Sequence, residues 1–308
     1  GRRQDPMNLV FFGSPAAALP SLGALLGAGH VVRLVVTQPD KPAGRGRRPA
    51  PSAVKAFALE RGLAVIEPDR IRTDEFAHER VRAAGPDVNI VVAYGQIIPD
   101  AVHSFPRWHS LNVHFSLLPK YRGAAPVQWA ILNGESESGV TIIELNDRMD
   151  EGDILAQERV AVGPRETAAA LETRLAGLGA DLLVATLARI DAVPHIRQDD
   201  AAATRAPKIR KEDGRVVWGE TAAAVDRKVL ALADRPGVYS FIGGKRINLL
   251  RGRALEGRAS VAEPGRIVSV GKDGLAVACG GGTVFLAEEV RPEGRAAMSA
   301  HARSEEHT

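Results

Sequence analysis

Asn112 and His114 stand two residues apart in the stretch SLNVHFSLLPKYRGAAPVQWAILNGE, residues 110–135, where an apolar run comes to its end. Side chains two apart on a strand share a face, so the amide and the imidazole are expected side by side at the strand's C-terminal edge. Asp150, in NDRMDEGDIL, is the third candidate. An amide donates to a developing oxyanion without carrying charge. An imidazole takes or gives a proton near neutral pH, and a carboxylate holds its tautomer or relays a proton from an attacking amine. No serine or cysteine nucleophile accompanies them, so the set suits direct acyl transfer between two bound substrates through a tetrahedral intermediate. Each residue also has a plainer reading. A strand-end Asn often caps a loop, a lone His in an apolar strand is usually a satisfied core group, and Asp150 fits a turn. The remaining histidines show no His-x-x-x-His or Cys pairing, so no metal site is expected.

The elements that must position these residues alternate strand and helix as far as about residue 190. NLVFFG, VVRLVVTQ, LAVIEP, DVNIVVAYG and HSLNVH read as buried strands, and GVTIIELN and DILAQERVAV as late ones. Between them lie helical patterns, one opened by Pro20 and closed by Gly29, another acidic at its start (Asp74, Glu75) and basic later. This predicts an α/β domain with a doubly wound, mainly parallel sheet, whose ligands bind beyond the C-terminal strand ends. FFGSPAA after the first strand lacks both G-x-G-x-x-G and a Walker lysine, so no nicotinamide cofactor is expected. Near residue 191 the texture turns polar and weakly periodic, as a linker would be. The boundaries read as a first domain over 7–190, a linker over 191–209 and a second domain over 210–308. The second has one short helix and then close-spaced strands with GG and KDG turns, a small β-barrel or sandwich.

Composition bounds the partners. The chain of 308 residues is 45% hydrophobic and 25% charged, ordinary for a globular protein. Its apolar runs fall short of a membrane span and no secretory pattern opens it. The lone cysteine, Cys279, suits a reducing cytoplasm and reads as a buried strand residue. The net charge of +3 hides an asymmetry: residues 205–258 hold 13 Lys/Arg against 6 Asp/Glu, and residues 38–55 hold 5 against 1. One such run is usually a solvated face; two in different parts of a chain point to a polyanionic partner.

NVHFSLLPKYRGAAPVQWAILNGE followed by GVTIIELNDRMDEGDIL resembles the signature of the formyltetrahydrofolate-dependent formyltransferases, and the resemblance runs from about Met7 to about Ala300. FFGSPAAALPSLGALL and TQPDKPAGRGRRPAPSAVK resemble the branch that acts on methionyl initiator tRNA. The resemblance implies a Rossmann-like catalytic domain, a linker and an OB-like β-barrel domain that binds tRNA. It implies 10-formyltetrahydrofolate as co-substrate, with no metal and no nicotinamide, and the amino group of methionyl initiator tRNA as acceptor. The catalytic trio falls on Asn112, His114 and Asp150, and the folate loop on Ser116, Leu117, Leu118 and Pro119. The tRNA-binding basic residues are Lys41, Arg45, Arg47 and Arg48 near the acceptor end, with Lys208, Arg210 and Lys211 on the docking surface. Phe115 departs from the small residue usual there; facing away from the trio, it is expected to pack. A cytoplasmic monomer is expected. Rival readings are a formyltransferase on a sugar-nucleotide or purine-precursor amine, which the basic regions oppose, and a non-catalytic RNA-binding protein, which the intact trio opposes.

Overall fold

The computed structural model describes residues 5–43 and 48–300, with the side chains of 41–43 and 48–49 outside that description. Contacts divide the chain into two compact units. The first is Gly1–Pro126, Glu137–Ala161 and Glu172–Pro207; the second is Val127–Ser136, Val162–Leu171 and Lys208–Thr308. The units therefore do not follow chain order alone.

The first unit is built on a seven-stranded sheet. Its strands are β1 (Asn8–Gly13), β2 (Val31–Val36), β5 (Val65–Ile66), β6 (Val88–Val92), β7 (Ser110–His114), β8 (Glu137–Glu144) and β9 (Ile154–Ala161); a separate hairpin pairs β3 (Lys41–Ala43) with β4 (Arg48–Ala50). Helices α1 (Leu19–Gly27), α2 (Ala53–Glu60), α3 (Glu75–Ala83), α4 (Asp100–His103) and most of α6 (Ala168–Leu187) connect or flank the strands, while α5 (Pro126–Leu132), between β7 and β8 in the chain, falls almost wholly in the second unit. β1 is buried from Leu9 to Gly13, as a central parallel strand covered on both faces must be. The order is β5-β2-β1-β6-β7-β8-β9, so the chain runs outward from β1 to β5 and then returns to β6 on the other side. That reversal is the switch point at which open sheets of this kind bind ligands. β7 lies parallel to β6, with Val91 opposite Asn112, whereas β8 and β9 each run antiparallel to the strand before. The sheet is thus parallel in its main part and antiparallel at one margin. At the start of α3, Asp74 is the N-cap, accepting from the Ala77 N–H at 3.0 Å, one residue ahead of the first turn that Glu75 occupies.

Period two sets the two faces of β7. Val113 and Phe115 pack towards α6, where a Cβ at Gly179 would come within 2.8 Å of Val113 Cγ1 and 3.6 Å of the Phe115 ring. Phe115 is buried, packing as its position predicts. Asn112 and His114 point the other way.

Beside the sheet, Val10, Phe12, Leu34, Val36, Ile71, Val81 and Val91 enclose Tyr94. Its ring meets Phe12 edge-on at 5.5 Å, and its hydroxyl finds no hydrogen-bond partner among the described residues. Burial, and next the Asp74 charge, push the Tyr94 phenol above the ordinary tyrosine range. An unpaired buried hydroxyl keeps its desolvation penalty of about 1–3 kcal/mol. Tyr94→Phe is therefore expected to raise stability by about 1 kcal/mol, read as a higher urea midpoint with unchanged slope.

The second unit carries α7 (Ala222–Leu232), capped by the Thr221 side chain, and an antiparallel sheet. Its strands are β10 (Val238–Ile242), β11 (Lys245–Ala254), β12 (Ile267–Gly271), β13 (Gly274–Ala278), β14 (Val284–Pro292) and β15 (Met298–Ser299). The order is β10-β11-β14-β13-β12, with β15 on β14. Gly243 and Gly244, at φ 55° and 77°, form the two-residue turn between β10 and β11. Val225, Val229 and Leu232 bury one face of α7. Cys279 is buried as expected but lies one residue past the end of β13 rather than within a strand, and its burial lifts the thiol to about 11, which leaves it inert. Among the described residues no helix is long and apolar enough to cross a membrane.

Candidate active site

The three sequence-predicted residues converge at the C-terminal end of β7. Asn112 Nδ2 donates to Asp150 Oδ1 at 3.4 Å, and His114 Nδ1 lies 3.7 Å from the same oxygen. The second distance is too long for a hydrogen bond, so the carboxylate alone does not hold the imidazole. The Tyr121 carbonyl does: it lies 2.9 Å from His114 Nε2. A carbonyl only accepts, so Nε2 carries the proton and a neutral His114 keeps its lone pair on Nδ1, facing Asp150. The Gly123 N–H donates to Asp150 Oδ2 at 2.9 Å, which leaves Oδ1 for the other two members. Two proton acceptors and an amide donor thus share one small space at a sheet edge.

The main chain holding Asp150 is itself braced. Asp150 sits at φ 56°, a left-handed conformation that Asp tolerates better than most residues. The Gln198 amide donates to the Asp150 carbonyl at 2.8 Å and to the Gly152 carbonyl at 2.7 Å. A Cβ at Gly152 would fall on the Glu144 carbonyl oxygen, so the close return of this loop onto β8 requires glycine. Arg122 orients Gln198, its Nε donating to Oε1 at 3.0 Å, while its other nitrogens face Asp200 (2.8 Å) and Glu151 (3.5 Å). Hydrogen bonding to Arg122 holds the Asp200 carboxyl below the usual carboxylate range. Sequence reasoning missed Gln198 and gave Arg122 no role. Gln198 lies in the linker-like stretch, where no periodicity marks it; an Arg inside KYRGAAP was the one available signal.

The SLLP loop is tied at its own end and to β8 and β9. Ser116 Oγ donates to the Lys120 carbonyl at 2.7 Å, the Leu118 N–H donates to Thr141 Oγ1 at 3.1 Å, and Gln157 Nε2 donates to the Leu118 carbonyl at 2.9 Å. Ser116 and Leu118 are buried, leaving Leu117 and Pro119 partly exposed. Lys208, Arg210 and Lys211 are exposed in the second unit. Lys41 and Arg48 belong to the β3–β4 hairpin, but their side chains, and Arg45 and Arg47 entirely, lie outside the described residues. Lys55 leaves the basic set, because its ammonium is held by Glu67 at 2.8 Å and Asp40 at 2.9 Å, which raise it above the ordinary lysine range. One cluster has no histidine-pair spacing to announce it: Asp100, His103 and Asp147 bring three ligand-type atoms within 4.8 Å of one another. Both carboxylates are exposed, and the buried imidazole has an ion-pair geometry to Asp147 at 3.3 Å.

The doubly wound sheet carries an amide–imidazole–carboxylate cluster whose groups are those acyl transfer uses, and sequence comparison gives the chain a family. Residues 7–187 match the formyl transferase family and residues 208–306 its C-terminal domain. The chain belongs to the formyl transferase family. Its relatives include the methionyl-tRNA formyltransferase of Solibacter usitatus, 45% identical over 94% of this chain and 92% of that one. The methionyl-tRNA formyltransferase of Citrifermentans bemidjiense is 41% identical over 92% of this chain and 88% of its own. Solved structures share the fold at lower identity. The N-formyltransferase from Helicobacter canadensis, in complex with folinic acid and dTDP-3-aminofucose, has a TM-score of 0.68 at 18% identity, covering 91% of this chain and 98% of that one. HypX from Aquifex aeolicus, in complex with tetrahydrofolic acid, has a TM-score of 0.66 at 19% identity, covering 98% of this chain and 47% of that one. At such identities the likeness speaks for the fold alone.

Proposed function

We propose that the protein transfers the formyl group of 10-formyltetrahydrofolate to the amino group of methionyl initiator tRNA. The observation that carries this reading is the convergence of Asn112, His114 and Asp150 in a chain 45% identical to a methionyl-tRNA formyltransferase over nearly its whole length. The unprotonated methionyl amine attacks the formyl carbon, a C–N bond forms, and the carbonyl oxygen becomes an oxyanion. Asn112 stabilises it through an amide N–H, with His114 beside it. The amine proton passes to Asp150 or to the bare Nδ1 of His114. The tetrahedral intermediate then collapses, the bond to N10 breaks, and N10 takes a proton from His114 or from water. The folate is the acyl carrier, so the step uses no metal and no nicotinamide. Ser116 and Leu118 shape the SLLP loop from within, and Leu117 and Pro119 offer its open side to the folate. Lys41, Arg45, Arg47 and Arg48 act near the acceptor end, and Lys208, Arg210 and Lys211 meet the RNA backbone. The setting is a cytoplasmic monomer.

The test is formylation of charged initiator tRNA by the purified protein, with a sugar-nucleotide amine as control acceptor. Product on the tRNA alone is the expected result; product on the sugar-nucleotide amine alone would replace this reading. Replacing Lys208, Arg210 and Lys211 together by Ala is expected to weaken binding of all tRNAs alike. The slope of log K against log salt would fall by roughly 2 to 3, for three lost phosphate contacts. An unchanged slope would remove these three from the interface.

A further inference from the structure

Three neighbouring strands of the second unit place aromatic and cationic side chains on one face. Tyr239 lies opposite Asn248 and Phe241 opposite Arg246 in the β10–β11 pair, and Asn248 lies opposite Arg291 in β11–β14. Directly opposed residues, and residues two apart, share a face of a sheet. The alternate positions Val238, Ser240, Ile247, Leu249 and Val290 are buried, which turns this set outward. Arg215 joins from the segment beside β10, where the Val216 N–H donates to the Tyr239 carbonyl at 2.9 Å.

The geometry within the set is that of a stacking surface. The Tyr239 and Phe241 rings meet edge to face at 5.9 Å. The Arg246 guanidinium lies 3.8 Å from the Tyr239 ring centroid and is steadied by its Nε donating to Asn248 Oδ1 at 3.3 Å. The Arg215 guanidinium lies 5.9 Å from the Phe241 centroid. Phe241 is 49% exposed. A single exposed phenyl ring is unremarkable by itself. Here it shares its face with three guanidiniums, Arg215 and Arg246 beside the aromatic pair and Arg291 one strand further on, for which the described residues provide no carboxylate within ion-pair distance. The face therefore offers flat apolar area and unneutralised positive charge together.

We propose that this face binds an unstacked nucleotide of RNA, with the base on the Phe241 ring and the adjoining phosphates on Arg215, Arg246 and Arg291. Both halves of the surface then have a use: every base has a π-face for the ring, and the backbone supplies the anions. An acidic peptide would satisfy the guanidiniums and leave the ring idle. The proposal rests on the reading of tRNA as acceptor and deepens it. Docking on this unit would include a base contact beside the backbone contacts of Lys208, Arg210 and Lys211.

The experiment uses the full-length protein and a fluorescent, unstructured single-stranded RNA, alone and annealed to its complement, with initiator tRNA alongside. Base stacking on an aromatic side chain is worth about 1–3 kcal/mol, so Phe241→Ala is expected to weaken single-strand binding about tenfold or more, with little change in its salt slope. Phe241→Trp is expected to restore it, and Arg246→Gln to lower the salt slope by roughly 0.7, one phosphate's share. The single strand is expected to bind more tightly than the duplex. Wild-type affinity of Phe241→Ala for both the single strand and tRNA would overturn the proposal. So would equal binding of strand and duplex, or displacement of the RNA by poly-glutamate with Phe241→Ala indistinguishable from wild type. Formylation by the wild-type protein is measured separately. Its absence would remove the proposed function without touching the oligonucleotide result.

Discussion

Asn112→Ala is expected to lower turnover about a hundredfold while folate affinity stays close to wild type. The amide is the charge-free donor of the cluster, and its contact to Asp150 at 3.4 Å is long, so little ground-state bonding is lost with it. What disappears is a donor to an oxyanion that exists only along the reaction path. Such a loss costs about 3 kcal/mol of transition-state stabilisation and falls on kcat. Asp150→Ala is expected to be at least as damaging, because Asp150 Oδ1 faces both Asn112 and His114. The double variant should lose less than the product of the two single losses, since the residues act as one unit. Single-turnover rates with a separate folate titration check this. Near-normal turnover in Asn112→Ala would remove the oxyanion role, and a changed folate Kd with unchanged rate would make Asn112 a binding residue instead.

Alternation makes this cluster legible in the sequence itself. Leu111, Val113 and Phe115 against Asn112 and His114 fix which residues share a face, and the fold places them so, with Val113 and Phe115 against Gly179. The antiparallel margin is half legible. β8 and β9 are joined by the short stretch 145–153, too short for the crossover that parallel strands need. The reversal at β7–β8 leaves no such mark, because the intervening stretch holds α5 and would suit either sense. Charge counting misleads at Lys55, whose two carboxylate partners are distant in sequence or masked by a basic neighbourhood. The supports of Asp150 are the least legible part. Gln198 works through carbonyl groups, and any polar residue of a loop can do that, so its type and spacing carry no signal.

Arg122→Ala is expected to damage both fold and turnover, and the way it divides between them tests the bracing of Asp150. The Arg122 side chain is only 3% exposed and serves Gln198, Asp200 and Glu151 at once. Removing one partner of a fully buried ion pair costs about 3–5 kcal/mol. Here the cost is smaller, about 2–3 kcal/mol, because Asp200 returns to water and Glu151 keeps Arg205 at 3.2 Å and Arg148 at 3.6 Å. Turnover should fall further than this instability explains. Without Arg122 the Gln198 amide is free to rotate away from the Asp150 and Gly152 carbonyls, and displacement of a reacting group by about 1 Å can cost about a hundredfold. Arg122→Lys keeps the charge but not the planar fork that reaches three partners, so it should recover stability better than rate. Gln198→Leu separates the two effects: kcat should fall with KM for tRNA unchanged and the urea midpoint only modestly lower. Wild-type kcat in Gln198→Leu, with Arg122→Ala slow only in proportion to its unfolded fraction, would reduce Arg122 to a structural ion pair and leave Asp150 held by Gly123 and Asn112.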